Sequence, residues 1–456
     1  MSSLKIQKVQ WEKLGAEARA QLLKRPVSDT KRELTIRVRE IVDSVRQNGD
    51  SAVLSLTRQY DRVELNSLRV TPEEMEFAEN RVKPEIKSAL RESIRRITLF
   101  HKAQLPNAID LETSPGVRCQ RRHMPIRQVG LYIPAGTAPL PSTVIMLGVP
   151  SMIAGCERRV LVTPPSSVIG SANGSAFGTV AGMVDSTVLV TAKMLGITEI
   201  YKAGGAQAVA ALAYGTETIQ KVDKIFGPGN SWVTEAKLQV AQDPNGAACD
   251  LPAGPSEVMV IADENANPAF VASDLLSQAE HGVDSQVILV SNSEAMLEQV
   301  MAQVGAQLQD LPRKEIITEA LSKSLFIFVS NIRDAFPICN EYAPEHLILQ
   351  LDQPRSYLDQ VRNAGSVFLG PWTPESAGDY ASGTNHVLPT YGFARAYGGL
   401  TTESFMKSMT IQELTPAGLK VLGPVVETIA ETEMLLAHRN AVRVRLDELG
   451  KNKEDI

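Results

Sequence analysis

Short apolar runs alternate with helix-length segments through most of this 456-residue chain, and few folds accommodate that pattern. A first series opens with Val129-Gly130-Leu131-Tyr132-Ile133, turns at Pro134-Ala135-Gly136, continues as an apolar helix over about 141–154 and returns as Val160-Leu161-Val162. Glu199-Ile200-Tyr201 and Lys224-Ile225-Phe226 read as later strands, with a helix over 206–213 between them. A second series runs through Val258-Met259-Val260-Ile261, Val287-Ile288-Leu289-Val290, Leu325-Phe326-Ile327-Phe328-Val329, His346-Leu347-Ile348-Leu349 and Val367-Phe368-Leu369. Short β runs that alternate with helices imply parallel sheets wrapped in those helices. The expected fold class is α/β: two Rossmann-like parallel-sheet domains facing a cleft, where folds of this kind bind ligands.

The flanks read as helical. In residues 1–105, Asn48-Gly49-Asp50 separates two helical runs, and Thr71-Pro72-Glu73-Glu74 is a capping box with proline at the first helical position. Ile86, Leu90, Ile94 and Ile97 form one apolar stripe in the same region. A tail helix from Pro424 to about Leu446 carries Glu433 and His438. The expected domains are a helical region at 1–105, one α/β domain at 128–245, a second made of 106–127 with 246–385, and a C-terminal helical segment at 386–456.

Charge and composition narrow the partners. A net charge of −6 leaves no basic excess for nucleic acid or an anionic membrane surface. The most apolar stretch, 129–155, is cut by prolines and glycines, and Met1-Ser2-Ser3-Leu4-Lys5 lacks an apolar signal core. A cytoplasmic location is expected. Cys119, Cys156, Cys249 and Cys339 are scattered without CxxC pairing and read as structural thiols.

Four stretches carry candidate chemistry. Ser277-Gln278-Ala279-Glu280-His281-Gly282 reads as the last turn of a helix with Asn267 as N-cap, Pro268 at the first helical position and Gly282 as the stop. Gln278 and His281 would share one face, and an amide oxygen beside an imidazole suits a borderline metal such as zinc. A helix-ending histidine serves equally as a cap or dipole partner. Glu345-His346, at the start of a strand, is either two proton carriers of different basicity or a surface ion pair at a loop edge.

Residues 370–392, GPWTPESAGDYASGTNHVLPTYG, hold too many Gly and Pro residues for a helix or strand. With Asp379 and His386 among aromatics, a functional loop is expected there. Gly227-Pro228-Gly229-Asn230, between a strand and a helix, would let a phosphate approach a helix N-terminus, although no G-x-G-x-x-G or Walker sequence is present. The Ser/Gly/Ala run at 166–182 reads as a flexible surface loop. His101 and His123 lie in plain basic surroundings.

The strings VGLYIPAGTAPLPSTV, KAGGAQAVAALAYGTE, KVDKIFGPGNSWVTEAK, DLPAGPSEVMVIAD, DLLSQAEHG, YAPEHLI and the whole of 370–392 closely resemble histidinol dehydrogenases. The likeness covers nearly the whole chain, with 166–182 as an insertion. It implies a zinc-dependent enzyme that oxidises L-histidinol to L-histidine through histidinal, the last steps of histidine biosynthesis, with two NAD+ consumed and one zinc per subunit. The zinc ligands it implies are Gln278, His281, Asp379 and His438, and the acid/base pair is Glu345 and His346. Ser256, Glu433 and His346 join the metal ligands in holding substrate, and Tyr132, Gln207 and Asn230 contact NAD+. On this resemblance 128–245 is the NAD-binding domain and 106–127 with 246–385 the catalytic domain. The family is a homodimer that exchanges the C-terminal segment, so Glu433 and His438 would serve the neighbouring subunit's site.

That set has chemical sense. A metal with open positions holds the imidazole and amine of histidinol and fixes its carbinol carbon. His346 would take the hydroxyl proton, and Glu345 would activate the water that hydrates the aldehyde before the second oxidation. The competing readings are a sister zinc and NAD dehydrogenase for another polar alcohol, such as a sulfonated diol, and a zinc hydrolase. Glu433, suited to a cationic group, favours histidinol. Two geometric tensions stand. A helix C-terminus such as His281 lies by the amino ends of strands, away from the usual ligand edge, so a site made between domains is expected. Glu433 and His438, five apart, would sit roughly 140° apart around one helix.

Overall fold

The computed structural model describes residues 6–25, 31–135, 138–167, 180–252 and 254–451. Contacts divide the chain into two units: Met1–Gln104 with Ile126–Phe405, and Leu105–Pro125 with Met406–Ile456. The first unit holds two parallel sheets, in keeping with the α/β pattern of the sequence.

The six-stranded sheet runs in the order Gln7–Gln10, Leu325–Phe328, Gln286–Ser291, Glu257–Ala262, His346–Gln350, Ser366–Leu369, with every neighbouring pair parallel. Side chains of Glu257–Ala262 alternate between two cores. Val258, Val260 and Ala262 meet Val271, Leu275 and Val300 on one face, while Met259 and Ile261 meet Phe336, Ile338 and Tyr342 on the other. Double-sided burial is why this strand reads as an unbroken apolar run. Gln7–Gln10 corrects the expectation of a wholly helical amino-terminal region. Its polar QKVQ sits at a sheet edge and carries no apolar signal.

The five-stranded sheet has the order Glu199–Lys202, Arg158–Thr163, Gln128–Tyr132, Lys224–Phe226, Ala248–Cys249, again all parallel. The chain steps outward from Gln128–Tyr132 and then returns on its other side at Lys224–Phe226. Successive loops therefore part at the carboxyl end of Gln128–Tyr132, the reversal point where such sheets take ligands. Helices Lys31–Tyr60, Gly205–Tyr214 and Ser231–Gln242 share one core through Val45, Val53, Val209, Leu212 and Val233. Helix Pro141–Ala154 is buried along most of its length and packs on Pro84–Lys102 and Ser186–Met194. Residues 168–179 of the Ser/Gly/Ala run lie outside the described residues; backbone hydrogen bonds between Ser166 and Met183 and between Gly182 and Ser166, both 2.9 Å, join its two ends.

The second unit departs from the expected partition. Most of 106–127, expected with the second parallel sheet, instead forms Ile109–Ser114 and Val117–Pro125, which pair antiparallel with each other, and Val117–Pro125 pairs on its other side with Met406–Leu414. The segment 386–456 therefore contains a strand as well as helices. Thr415, accepting from Gly418 N–H at 3.1 Å, and Pro416 at the first position start the tail helix Pro416–Thr432 upstream of Pro424. Glu433 caps it, Met434 adopts a φ of 58°, and a second helix, Leu436–Lys451, follows. Glu433 and His438 stand on either side of that break, so the separation of one continuous helix does not apply. Among the described residues, no helix is long and apolar enough to cross a membrane.

Helix Pro84–Lys102 carries a group that makes the fold sensitive to acid. His101 is wholly buried, its ring facing Asn385 and Thr402. Burial pushes its pKa down from 6.5 to about 4. The unfolded chain then takes up the proton first, so the stability of the neutral ring is complete above pH 6.5 and is lost as pH falls towards 4. The loss amounts to about 3 kcal/mol at pH 4. His101→Gln is expected to flatten the acid limb of unfolding free energy, measured by urea titration between pH 6.5 and 4; an unchanged slope would place the sensitivity elsewhere.

Candidate active site

Two neighbouring strands frame the site. His346 opens His346–Gln350 in register with Val258, which sets Glu345 beside Glu257. The Glu257 N–H donates to Glu345 Oε2 at 2.9 Å, and the Glu257 carbonyl lies 3.2 Å from His346 Nδ1. One peptide segment thus touches both side chains expected to move protons.

The helix before the next strand supplies further donors. Asn267 caps Pro268–Ala279 by accepting from Ala269 N–H at 2.9 Å. The helix stops at Ala279 with Glu280 as its cap, not at Gly282, which belongs to a following turn closed by Ser285 N–H. His281 has left the helix, and its N–H donates to the Gln278 carbonyl at 3.2 Å. Gln278 and His281 are therefore brought together by a turn and not along a helical face. Gln278 is fully buried; in the amide orientation that satisfies its neighbours, its nitrogen donates to Glu375 Oε1 at 2.7 Å and lies 3.1 Å from His346 Nδ1. That orientation frees the carbonyl oxygen as a donor to a cation.

The stretch 370–392 corrects another expectation. It holds a short helix, Glu375–Tyr380, from which Glu375 and Asp379 project four residues apart on one side. His281, Glu375 and Asp379 each bring a ligand atom within 4.8 Å of the others. Asp379 Oδ1 stands 3.7 Å from His346 Nε2. Glu375 was absent from the sequence candidates; the signal was its spacing from Asp379, masked by the surrounding glycines and prolines. His386 plays another part. Its Nδ1 lies 3.0 Å from the Asp379 carbonyl and its Nε2 3.4 Å from Thr143 Oγ1, so it ties this loop to helix Pro141–Ala154.

Burial dominates the electrostatics. It raises Glu345 to about 8 and Glu375 well above the carboxylate range. Burial opposes charge on His346 too, but Glu375, Glu345 and Asp379 outweigh it and raise the ring to about 10. Asp379, despite burial, is held low by the neighbouring His346 ring, whereas burial lowers His281. A cation entering this dry place would favour the ionised carboxylates and the neutral ring. Nitrogen from His281 with oxygen from Asp379 and Gln278 is a donor set that zinc accepts. His346 Nε2 is buried without a hydrogen-bond partner.

All these groups lie at the amino edge of the six-stranded sheet, opposite the usual ligand edge. Ser256, half-buried, directly precedes Glu257, and its carbonyl accepts from Gln286 N–H at 3.2 Å. The other candidates gather at the carboxyl edge of the five-stranded sheet. Tyr132 ends its strand, and its hydroxyl accepts from Gly205 N–H at 3.1 Å. Gln207 is buried one turn into the following helix. Asn230 caps Ser231–Gln242 by accepting from the N–H groups of Trp232 and Val233. The turn before it requires glycine: Gly227 has a φ of +128°, and a Cβ there would lie 2.1 Å from the Tyr132 carbonyl oxygen. Glu433 and His438 belong to the second unit and are exposed.

Comparison with known proteins identifies the family of the chain. Residues 23–446 match the family model described as histidinol dehydrogenase. The chain is 51% identical over 445 residues to the histidinol dehydrogenase of Vibrio parahaemolyticus serotype O3:K6, covering 98% of this chain and 99% of that protein. It is 48% identical to the histidinol dehydrogenase of Yersinia pestis, over 97% of this chain and 96% of that one. The crystal structure of histidinol dehydrogenase from Elizabethkingia anophelis matches with a TM-score of 0.90 at 44% identity, over 99% of this chain and 100% of that one. On sequence and fold together, the chain belongs to the histidinol dehydrogenase family of oxidoreductases.

Proposed function

We propose that the protein oxidises L-histidinol to L-histidine through histidinal, in two successive oxidations with zinc and two NAD+, as a cytoplasmic homodimer with shared active sites. The observation that carries this reading is the grouping of His281, Glu375 and Asp379 beside Gln278, Glu345 and His346. His281, Asp379 and the Gln278 carbonyl would hold the zinc, with His438 of the partner subunit as the fourth ligand. When bound, the metal would fix the amine and imidazole of the substrate while the nicotinamide accepts hydride from its carbinol carbon.

The protein's own residues manage position and protons. With a cation bound beside it and its ring neutral, His346 would take the hydroxyl proton at Nε2, the nitrogen that has no partner, while its Nδ1 faces the Glu257 carbonyl. Glu345, held by the Glu257 N–H, takes a proton from the water that adds to the aldehyde. That hydration is required because only the hydrate can lose a second hydride and end as a carboxylate. Glu375 holds the amide nitrogen of Gln278 and so aims its carbonyl. Tyr132, Gln207 and Asn230 line the edge where the dinucleotide would lie, and a helix N-terminus at Asn230 suits a phosphate. Ser256, together with the partner subunit's Glu433, would complete the substrate's contacts, the carboxylate facing its amine.

The direct test mixes the purified, zinc-loaded protein with L-histidinol and excess NAD+ and counts NADH by absorbance. Two NADH per histidinol are expected, with activity lost on chelation and restored by zinc; one NADH points to a simple alcohol dehydrogenase, and hydrolysis without nicotinamide to a hydrolase. Glu345→Gln is expected to stall the aldehyde step by roughly 100-fold or more while the alcohol step survives, whereas His346→Asn slows both. Equal losses in both half-reactions for Glu345→Gln would refute the division of labour. Glu375→Ala is expected to weaken zinc binding by roughly 10–100-fold in a metal titration; unchanged affinity would mean that Gln278 does not depend on it.

A further inference from the structure

We infer that Arg25 is a positioning residue for the acid/base pair: its ion pair with Glu257 clamps the one segment that touches both Glu345 and His346. The inference rests on the roles proposed above for those two residues. Arg25 follows helix Ala16–Leu22, in a region where the sequence shows no chemistry. Its Nε lies 2.5 Å from Glu257 Oε1 and its Nη2 2.8 Å from Oε2, a bidentate pair with side chains only 11% and 4% exposed. The same Nη2 donates to the Tyr342 carbonyl at 2.8 Å, and the guanidinium stacks over the Tyr342 ring at 3.9 Å from its centroid. Tyr342 and Ala343 lead directly through Pro344 to Glu345. Arg25 therefore grips the approach to both strands that frame the site.

Glu257 passes the constraint on. Its Oε1 also accepts from Tyr391 N–H at 3.1 Å, which ties in the end of the stretch that carries Asp379. Ala343 and Tyr391, on either side of the clamp, have φ of 53° and 54°, a left-handed backbone that such residues keep only when held. A buried ion pair is a weak source of stability, and an apolar pair of similar volume would serve that purpose as well. What an apolar pair cannot do is hold a carboxylate, two strand approaches and a loop in one geometry. The planar fork of arginine does this, and the point charge of lysine does not.

The two reacting side chains depend on the clamp unequally. His346 also meets Gln278 and Asp379. For the Glu345 carboxylate, the Glu257 N–H is the hydrogen-bond donor within reach among the described residues. A shift of the Glu257 segment should therefore be felt most in the aldehyde step.

The test is Arg25→Lys in the zinc-loaded dimer, with the two half-reactions followed separately from histidinol and from histidinal. The expected result is a roughly 10–100-fold fall in kcat for histidinal oxidation, a smaller fall for histidinol oxidation, and KM values and zinc content within about twofold of the parent. In Arg25→Ala, added guanidinium should recover part of the lost kcat and ammonium should not. Equal losses in both half-reactions, a loss confined to KM or zinc content, or no loss would overturn the inference. Should both variants fail to fold, Glu257→Gln keeps the side chain's shape and one acceptor, and its failure to fold as well would mark the pair as structural and overturn the inference. Glu345→Gln run alongside separates the two possible failures. If it stalls the aldehyde step and Arg25→Lys does not, only the clamp falls; if it does not stall that step, the acid/base reading falls and the clamp with it.

Discussion

The register between Glu257–Ala262 and His346–Gln350 is the constraint on which the rest of the site depends. A slip of one residue would turn His346 to the other face of the sheet and part Glu345 from the Glu257 N–H. Burial enforces the register from both sides, because every side chain from Val258 to Ala262 is committed to one of two cores. The candidate acid and base stand at the amino ends of these strands.

The candidate residues gather at opposite edges of two sheets of the same class. The five-stranded sheet offers its carboxyl edge at the strand-order reversal, the ordinary place for a dinucleotide. The six-stranded sheet offers its amino edge, reached by the turn at His281 and by the short helix of Glu375 and Asp379. The expectation that His281 needs an off-pattern site finds its cause here. Burial then does the electrostatic work, raising Glu345 and Glu375 and letting the carboxylates raise His346. Groups so perturbed are suited both to proton transfer and to holding a cation.

Much of the site was legible because its signals were local. Glu345-His346 is an adjacent pair, and Asn267 with Pro268 is a start signal read within a few residues. The misreadings share one cause: composition was trusted where tertiary contact decided. Gly282 has no role as a helix stop because the helix ends earlier, at Ala279. Glu375–Tyr380 form a helix despite their glycine, since Glu375 is buried against Gln278 and Gly378 against Phe368. Pro424 lies inside a helix that Thr415 and Pro416 had already begun. Gln7–Gln10 becomes a strand only because Leu325–Phe328 offers it an edge.

By itself, then, the sequence determined the α/β class, the order of most buried strands and, through its resemblance to a family, which residues are candidates for the site. Those properties reside in periodicity and in short strings, which a single chain displays without folding. The tertiary structure decided which groups meet: Arg25 with Glu257 across 232 positions, Glu375 with Gln278, and 106–127 with the strand Met406–Leu414 instead of the second parallel sheet. Such pairings leave no periodic trace, because they are selected by the burial of groups far apart in the chain and not by the conformational preference of either segment alone.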